Sequence, residues 1–121
     1  MIWRWLAVVL YAALLTVLLL VPDPLFFLRF GAVASPGPVG ALMNDKVLHF
    51  CAYAGLGGLL TFAGGAGRMQ HWFFLAVAHG AAMELLQNLV PPRQGDFADL
   101  GADAAGAFCG ILAAVLIFRS R

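Results

Sequence analysis

The stretch DKVLHFCAYAG, residues 45–55, places charged and polar side chains at the start of a segment that is otherwise apolar. Asp45, His49 and Tyr53 are spaced i, i+4 and i+8, so a helix would carry them on one face. Gly57 continues the same face. Burial removes the hydration of charged groups and therefore costs free energy unless they find partners. The stretch predicts a helix whose polar face meets polar groups of other segments.

The rest of the chain avoids charge. Of its 121 residues, 63% are hydrophobic and 11% are charged, whereas a soluble domain averages about a quarter charged residues. The composition predicts one polytopic membrane domain over residues 1–121, with membrane lipids as its surroundings. A net charge of +1 gives no sign of a nucleic-acid partner. Cys51 and Cys109 lie in apolar runs without disulfide or metal-site spacing and are interpreted as small apolar residues.

Four apolar runs reach the length of about 20 residues that a helix needs to cross a bilayer. Backbone groups in lipid must form hydrogen bonds within their own segment, so helices are expected rather than strands. The predicted fold is all-α, a compact bundle of four transmembrane helices at about residues 3–21, 47–66, 71–90 and 99–118. The first run could instead be a signal peptide with Arg4 as its positive start, but the apolar stretch after Arg4 is longer than the apolar region of a usual signal peptide and ends at Pro22 and Pro24 rather than at small residues.

Helix order places both termini and the 67–70 turn on one side of the membrane. The basic residues of that side are Arg4, Arg68, Arg119 and Arg121, and those of the other side are Arg29, Lys46 and Arg93. Every aspartate also falls on the second side. The count of Lys and Arg, four against three, favours cytoplasmic termini by the positive-inside rule. The acidic end would then face the periplasm or the cell exterior.

The third and fourth predicted helices also carry polar faces. Glu84 and Gln87 are spaced i, i+3, and Asp99 and Asp103 are spaced i, i+4, with Asp96 just before them. These groups are expected in the outer part of the membrane. The two deepest carboxylates, Glu84 and Asp103, would lie about 9 Å and about 6 Å below the ends of their helices. An unpaired charge at the bilayer centre costs on the order of 3 kcal/mol. We therefore expect the three polar faces to meet in a small pocket.

Two cations and one small-residue motif complete this expectation. Lys46 and Arg93 are the available cations at the acidic end. Gly106 and Gly110 form a GxxxG pattern, which allows close packing against a neighbouring helix or an oligomer contact. His79 lies about 140° around its helix from Glu84 and is interpreted as a contact between helices.

Taken together, these motifs resemble the VanZ-like family of small bacterial integral membrane proteins. The family pattern is DKxxHFxxY on one helix, ExxQ on the next, an arginine in a short loop, and D–D–(N/D)–G entering the last helix. The resemblance covers about residues 44–112. The matching positions are Asp45, Lys46, His49, Tyr53, Glu84, Gln87, Arg93, Asp96, Asp99, Asp103 and Gly106. Many relatives have Asn where this chain has Asp103.

The resemblance implies a multi-pass protein of the bacterial cytoplasmic membrane, and it brings neither a reaction nor a cofactor. The family's namesake is associated with low-level resistance to the glycopeptide teicoplanin. A cell-envelope role is therefore expected.

Three hypotheses for function stay open. In the first, the pocket binds a lipid or glycan headgroup at the outer leaflet: Arg93, Lys46 and protonated His49 suit a phosphate, and the carboxylates and Gln87 suit hydroxyl groups. In the second, the protein is an enzyme that uses acid–base chemistry, with Glu84, His49 and Asp99 as candidates. In the third, the polar residues only fix the packing of a scaffold.

A metal site is not predicted. His49, Glu84 and Asp103 are suitable ligand types, but no HExxH or comparable spacing supports one.

Overall fold

The computed structural model describes residues 1–21, 45–91 and 95–119, without the side chains of Asp45 and Arg119. This part of the chain forms four α-helices: α1 (Ile2–Leu20), α2 (Asp45–Gly64), α3 (Met69–Gln87) and α4 (Phe97–Arg119), with a 3-10 turn, Ala66–Arg68, between α2 and α3. The predicted all-α class is confirmed. Arg93, a predicted pocket cation, lies outside the described residues.

The ends of the helices follow from local chemistry. After α2, Gly65 adopts a φ of +87°, which glycine reaches without a steric penalty. After α3, residues 88–90 continue as turns before Pro91, so α3 ends three residues earlier than predicted. Helix α4 begins at Phe97, earlier than predicted, because Asp96 caps it. Oδ1 of Asp96 accepts a hydrogen bond of 2.9 Å from the backbone N–H of Ala98.

Successive helices run in opposite directions, as the sequence predicts. At one end, Arg4 of α1 donates from Nη1 to the carbonyl oxygen of Phe62 in α2, 3.5 Å away. The ring of Phe62 also packs against Phe118 of α4. At the opposite end, Gln87 of α3 donates to the carbonyl oxygen of Leu19 in α1, at 2.9 Å. Among the described residues, Arg4 and Arg68 therefore lie at one end of the bundle, and Asp96, Asp99 and Asp103 lie toward the other.

Three of the described helices are long and apolar enough to cross a membrane: Ile2–Leu20, Lys46–Gly64 and Phe97–Phe118. Helix α3 is not among them, so four transmembrane helices are not confirmed. The reason lies in its polar side chains, which lower its mean hydropathy; they are Gln70, His71, His79, Glu84 and Gln87. Glu84 and Gln87 are nevertheless buried, and both face other helices rather than the surroundings.

The described bundle is apolar outside and partly polar inside. Many large apolar side chains are exposed, among them Leu10, Phe74 and Leu116. The two cysteines are free and also on the exposed surface. The interior holds the buried polar and charged residues His49, Thr61, Glu84, Gln87, Asp99 and Asp103. A protein in water shows the reverse arrangement, so this distribution indicates a lipid environment.

The most extensive helix pair is α2 with α4, and glycines permit its close approach. A Cβ added at Gly106 would collide with the carbonyl oxygen of Phe50, and one at Gly110 with that of Ala54. The GxxxG face thus packs against α2 within the chain, which is one of the two uses that its pattern allows. This approach brings the first turns of α2 and α4 side by side.

We expect Gly106→Ala to lower the free energy of unfolding by about 1–3 kcal/mol, because its methyl group would push the α2 backbone away from α4. Gly101→Ala is the matched control, since a Cβ there meets nothing within 4 Å. That control should be neutral or stabilise the helix by about 0.5–1 kcal/mol. Thermal unfolding in detergent micelles measures both variants. Equal melting temperatures for the two would contradict the tight α2–α4 contact.

Candidate functional site

Four ionisable side chains meet in the interior at the acidic end of the bundle. His49 comes from α2, Glu84 from α3, and Asp99 and Asp103 from α4, and all four are buried, Asp103 completely. We call these four residues the buried cluster. Helical spacing explains the contribution of α4, because Asp99 and Asp103 are one turn apart. The predicted meeting of three polar faces is therefore present for these residues.

The closest contact in the buried cluster joins His49 to Asp103. The Nδ1 atom of His49 lies 2.7 Å from Oδ1 of Asp103, and Nε2 lies 3.8 Å from Oδ2 of Asp99. An imidazole that donates from Nδ1 can use Nε2 either as a second donor, when protonated, or as a lone-pair donor to a cation. The pair is thus suited to proton transfer and to ligand binding.

Glu84 ties α3 to the start of α4. Its Oε2 accepts a hydrogen bond of 2.7 Å from the backbone N–H of Asp96. Its carbonyl oxygen accepts a hydrogen bond from Nδ2 of Asn88, whose Oδ1 in turn accepts one from the N–H of Gly95. These bonds fix the position of the Glu84 carboxylate relative to the other members of the buried cluster.

Two carboxylate oxygens of the buried cluster, Glu84 Oε1 and Asp103 Oδ2, have no hydrogen-bond donor among the described residues. Leaving such an oxygen buried without a donor costs about 1–3 kcal/mol, and more when it is charged. The buried cluster is therefore arranged to accept hydrogen bonds, protons or a cation from a further group.

A half-exposed ion pair lies beside the buried cluster. Lys46 Nζ is 3.3 Å from Oδ2 of Asp96 and 3.5 Å from Oδ1 of Asp99. The side chains of Lys46 and Asp96 are 46% and 52% exposed, whereas that of Asp99 is 7% exposed. We call Lys46 and Asp96 the rim. The rim connects the surroundings to the buried cluster through Asp99.

Two neighbouring groups lower the pKa of Asp96. The backbone N–H of Ala98 donates to its carboxylate, and Lys46 lies beside it, so the pKa of Asp96 is held below its ordinary value of 3.8. Asp96 is accordingly a carboxylate at neutral pH.

A second polar chain crosses the bundle through His79. Thr16 donates to the carbonyl oxygen of Ala12 at 2.9 Å, so its Oγ1 is free to accept from Nε2 of His79 at 3.1 Å. With Nε2 protonated, Nδ1 of His79 accepts from the hydroxyl group of Tyr53 at 2.8 Å. Three helices are joined in this way, and the predicted inter-helix contact of His79 is confirmed.

The predicted site residues therefore separate into groups. His49, Glu84, Asp99 and Asp103 form the buried cluster, and Lys46 and Asp96 form the rim. Tyr53 bonds His79 instead, and Gln87 bonds Leu19, so neither has a described contact with the buried cluster. The side chain of Asp45 and the whole of Arg93 lie outside the described residues.

Two residues with structural roles here do not stand out in the sequence patterns. Oδ1 of Asn88 accepts a hydrogen bond from the backbone N–H of Gly95, and Oγ1 of Thr16 accepts one from Nε2 of His79. The available signal was weak: Asn88 follows Glu84 by four residues, and Thr16 is the one threonine of α1.

Comparison with known proteins places the chain. A family model described as VanZ/LLP1 matches residues 17–119. The chain belongs to the VanZ/LLP1 family. Neither a search of curated proteins nor a search of solved structures found a match. The resemblance inferred from the motifs is thus confirmed, and the matched range contains the whole buried cluster and the rim. The family and the three span-length apolar helices together support a VanZ-like membrane protein.

We expect the rim to contribute to stability in a pH-dependent way. Because the pKa of Asp96 is lowered in the folded protein, its contribution is fully present above pH 3.8 and is lost as the pH falls through the folded-state pKa below that value. Asp96→Asn retains a capping oxygen but removes the charge. The melting temperature of the variant should be below that of the wild type at pH 6, and this difference should close on acidification.

Melting curves from pH 7 to pH 3 in detergent measure this difference. Lys46→Met provides the matched partner, because it removes the other charge of the rim. A difference between wild type and Asp96→Asn that stays constant down to pH 3 would contradict the lowered pKa of Asp96.

Proposed function

We propose that this chain is a four-span protein of the bacterial inner membrane, with both termini in the cytoplasm, and that its acidic end binds the headgroup of an envelope lipid or glycan at the outer leaflet. The fourth span would be α3, whose buried Glu84 and Gln87 face protein rather than lipid. Basic residues at the opposite end, Arg4 and Arg68, support the cytoplasmic location of the termini.

The observation that carries this proposal is the contrast between the rim and the buried cluster. Lys46 and Asp96 are half exposed, and Asp99 beside them is buried, with its Oδ1 3.5 Å from Nζ of Lys46. A polar group that arrives from outside can therefore reach a donor, Lys46, and an acceptor, Asp99, at neighbouring positions.

The described charges favour a headgroup rich in hydroxyl groups over a phosphate. The rim and the buried cluster together hold four carboxylates, against one lysine and one histidine. A phosphate would be repelled by these carboxylates and would have to compete with Asp96 and Asp99 for Lys46. Sugar and glycerol hydroxyl groups, in contrast, donate to carboxylates and accept from an ammonium group.

A second candidate function, acid–base catalysis on an envelope lipid, is favoured by one specific contact. Asp103 binds Nδ1 of His49 at 2.7 Å, so it would hold the imidazole in a fixed orientation with Nε2 directed elsewhere. This is how a carboxylate supports a catalytic histidine in general acid–base sites. Glu84 and Asp99 are the neighbouring carboxylates that would exchange protons with a substrate.

Low-level teicoplanin resistance, which the family resemblance implies, belongs to the same proposal. Binding of an envelope glycan at the outer leaflet would be its physical basis. Its test is the teicoplanin susceptibility of a host that expresses the wild type or Asp99→Asn.

We expect Asp99→Asn to reduce photolabelling of the acidic end by a hydroxyl-rich lipid about tenfold or more, since a hydrogen bond to a charged group contributes about 1.5–3 kcal/mol. The probe is a diazirine-tailed glucosyl diacylglycerol, and diazirine-tailed phosphatidylcholine reports nonspecific labelling. Labelled peptides are located by mass spectrometry after reconstitution of the full chain in vesicles. The label should fall near residues 46–53 and 96–103.

Arg68→Gln is the matched control, because Arg68 is exposed at the opposite end of the bundle. Its labelling should equal that of the wild type. Melting temperatures of all variants show whether Asp99→Asn remains folded. Equal labelling of a folded Asp99→Asn protein and of the wild type would overturn headgroup binding at the acidic end, and so would a label confined to the end that carries Arg68.

His49→Gln separates binding from catalysis. If the protein is an enzyme, this variant should keep the glycolipid label but lose the conversion of the probe, detected as a changed lipid mass. A wild-type protein that labels specifically but leaves the probe unchanged would leave binding as the function and remove the support for catalysis on that lipid.

A further inference from the structure

We propose that His49, Glu84 and Asp103 form a binding site for a divalent metal ion of the Zn²⁺ or Mn²⁺ type in the interior of the bundle. Each residue offers one ligand atom, and these atoms all lie within 4.8 Å of one another. All three side chains are buried and come from three different helices. We call this arrangement the three-ligand site.

The distances suit a small cation. A zinc ion lies about 2.0–2.2 Å from nitrogen and oxygen ligands, so two ligands of a tetrahedral ion are about 3.4 Å apart. The ligand atoms of the three residues lie within 4.8 Å of one another, so the most widely separated pair would approach by up to about 1.4 Å when the ion binds. Rotation about side-chain torsion angles would supply this approach.

Unsatisfied oxygens give a second, independent indication. Asp103 is completely buried; its Oδ1 contacts His49, and its Oδ2 has no hydrogen-bond donor among the described residues. Glu84 shows the same asymmetry, since Oε2 accepts from the N–H of Asp96 while the buried Oε1 lacks a described donor. In a low-dielectric interior, carboxylate oxygens of this kind require a proton or a cation. A divalent ion would satisfy both residues at once.

The ligand set narrows the class of ion. Two carboxylates and one imidazole form a mixed oxygen and nitrogen set, which is typical of Zn²⁺ and Mn²⁺, whereas Mg²⁺ and Ca²⁺ prefer oxygen ligands alone. Thiolate coordination does not enter, because Cys51 and Cys109 lie on the exposed surface of the bundle. Three protein ligands leave at least one position of a tetrahedral ion open, as in catalytic rather than structural zinc sites.

The groups that would hold these ligands in place are also present. The backbone N–H of Asp96 fixes Oε2 of Glu84, which leaves the buried Oε1 for the ion. Such orienting contacts are usual around metal ligands and increase affinity. No sequence motif announces this site, because its ligands come from three segments that only the fold brings together.

This inference goes beyond headgroup binding and does not depend on it. The three-ligand site is buried, whereas the headgroup is proposed to enter at the half-exposed rim of Lys46 and Asp96. An ion in the three-ligand site would balance part of the negative charge below the rim.

The experiment measures metal in the full chain, purified in mild detergent with a tag that contains no histidine. After size-exclusion chromatography in metal-free buffer, inductively coupled plasma mass spectrometry should find about one Zn²⁺ or Mn²⁺ per chain. Removal of the ion with a chelator should lower the melting temperature, and added ZnCl₂ or MnCl₂ should restore it, while MgCl₂ should not. These ligand-linked shifts follow from binding to the folded state alone.

Variants identify the ligands. We expect Glu84→Gln and His49→Gln each to weaken metal affinity at least tenfold, since even loss of an orienting group has an effect of that size. His71→Gln is the matched histidine control, because His71 is exposed at the opposite end. This control should bind the ion as the wild type does.

Two results would overturn the metal site. In the first, the chelator-treated wild type does not rebind Zn²⁺ or Mn²⁺, and its melting temperature does not change when either ion is added. Protons would then neutralise the carboxylates. The other is equal affinity in the wild type and in His49→Gln, which tests the ligands even if Glu84→Gln fails to fold. Glycolipid labelling of metal-free protein separates this outcome from the headgroup proposal, which would survive if the label persists.

Discussion

The close approach of α2 and α4 is the constraint on which the acidic end depends. Gly106 and Gly110 present no side chain to α2, so the backbone carbonyl oxygens of Phe50 and Ala54 can pack directly against α4. One turn before Gly106 lies Asp103, and beside Phe50 lies His49. Because the backbones nearly touch, the imidazole and the carboxylate reach each other at 2.7 Å without a bridging group. A larger residue in α4 would separate them and lengthen or break this buried contact.

The same packing explains why α3 differs from its neighbours. Its polar residues prevent it from qualifying as an apolar span by composition. Yet Glu84 and Gln87 are buried, because Glu84 is held by the N–H of Asp96 and Gln87 donates to Leu19. A helix whose polar groups are satisfied by neighbouring helices exposes little polarity to its surroundings. Mean hydropathy averages over all residues of a helix, whichever way their side chains face. It therefore underestimates how apolar the outward-facing surface of such a helix is.

The acidic end combines two environments within a short distance. Lys46 and Asp96 remain half exposed, where a charge retains hydration and an ion pair contributes little to stability. His49, Glu84 and Asp103 lie in the interior, where an unsatisfied carboxylate oxygen is costly and a bound cation or donor group gains most. The proposed headgroup contact uses the first environment, and the proposed metal site uses the second. Asp99, which is close to both Lys46 and His49, connects them.

The sequence by itself determined the elements and the candidate residues. Apolar runs of span length indicate helices because a backbone in lipid must satisfy its own hydrogen bonds, and the 3.6-residue period fixes which side chains share a face, as with Asp99 and Asp103. Helix termini were predicted less well, since Asp96 caps α4 through a local side-chain bond that hydropathy does not register.

Only the tertiary structure decided which polar groups meet. The rotation of each helix about its own axis depends on packing, which no single helix encodes. His49 therefore pairs with Asp103 of α4, and the hydroxyl group of Tyr53, one turn further along α2, turns to His79 of α3 instead.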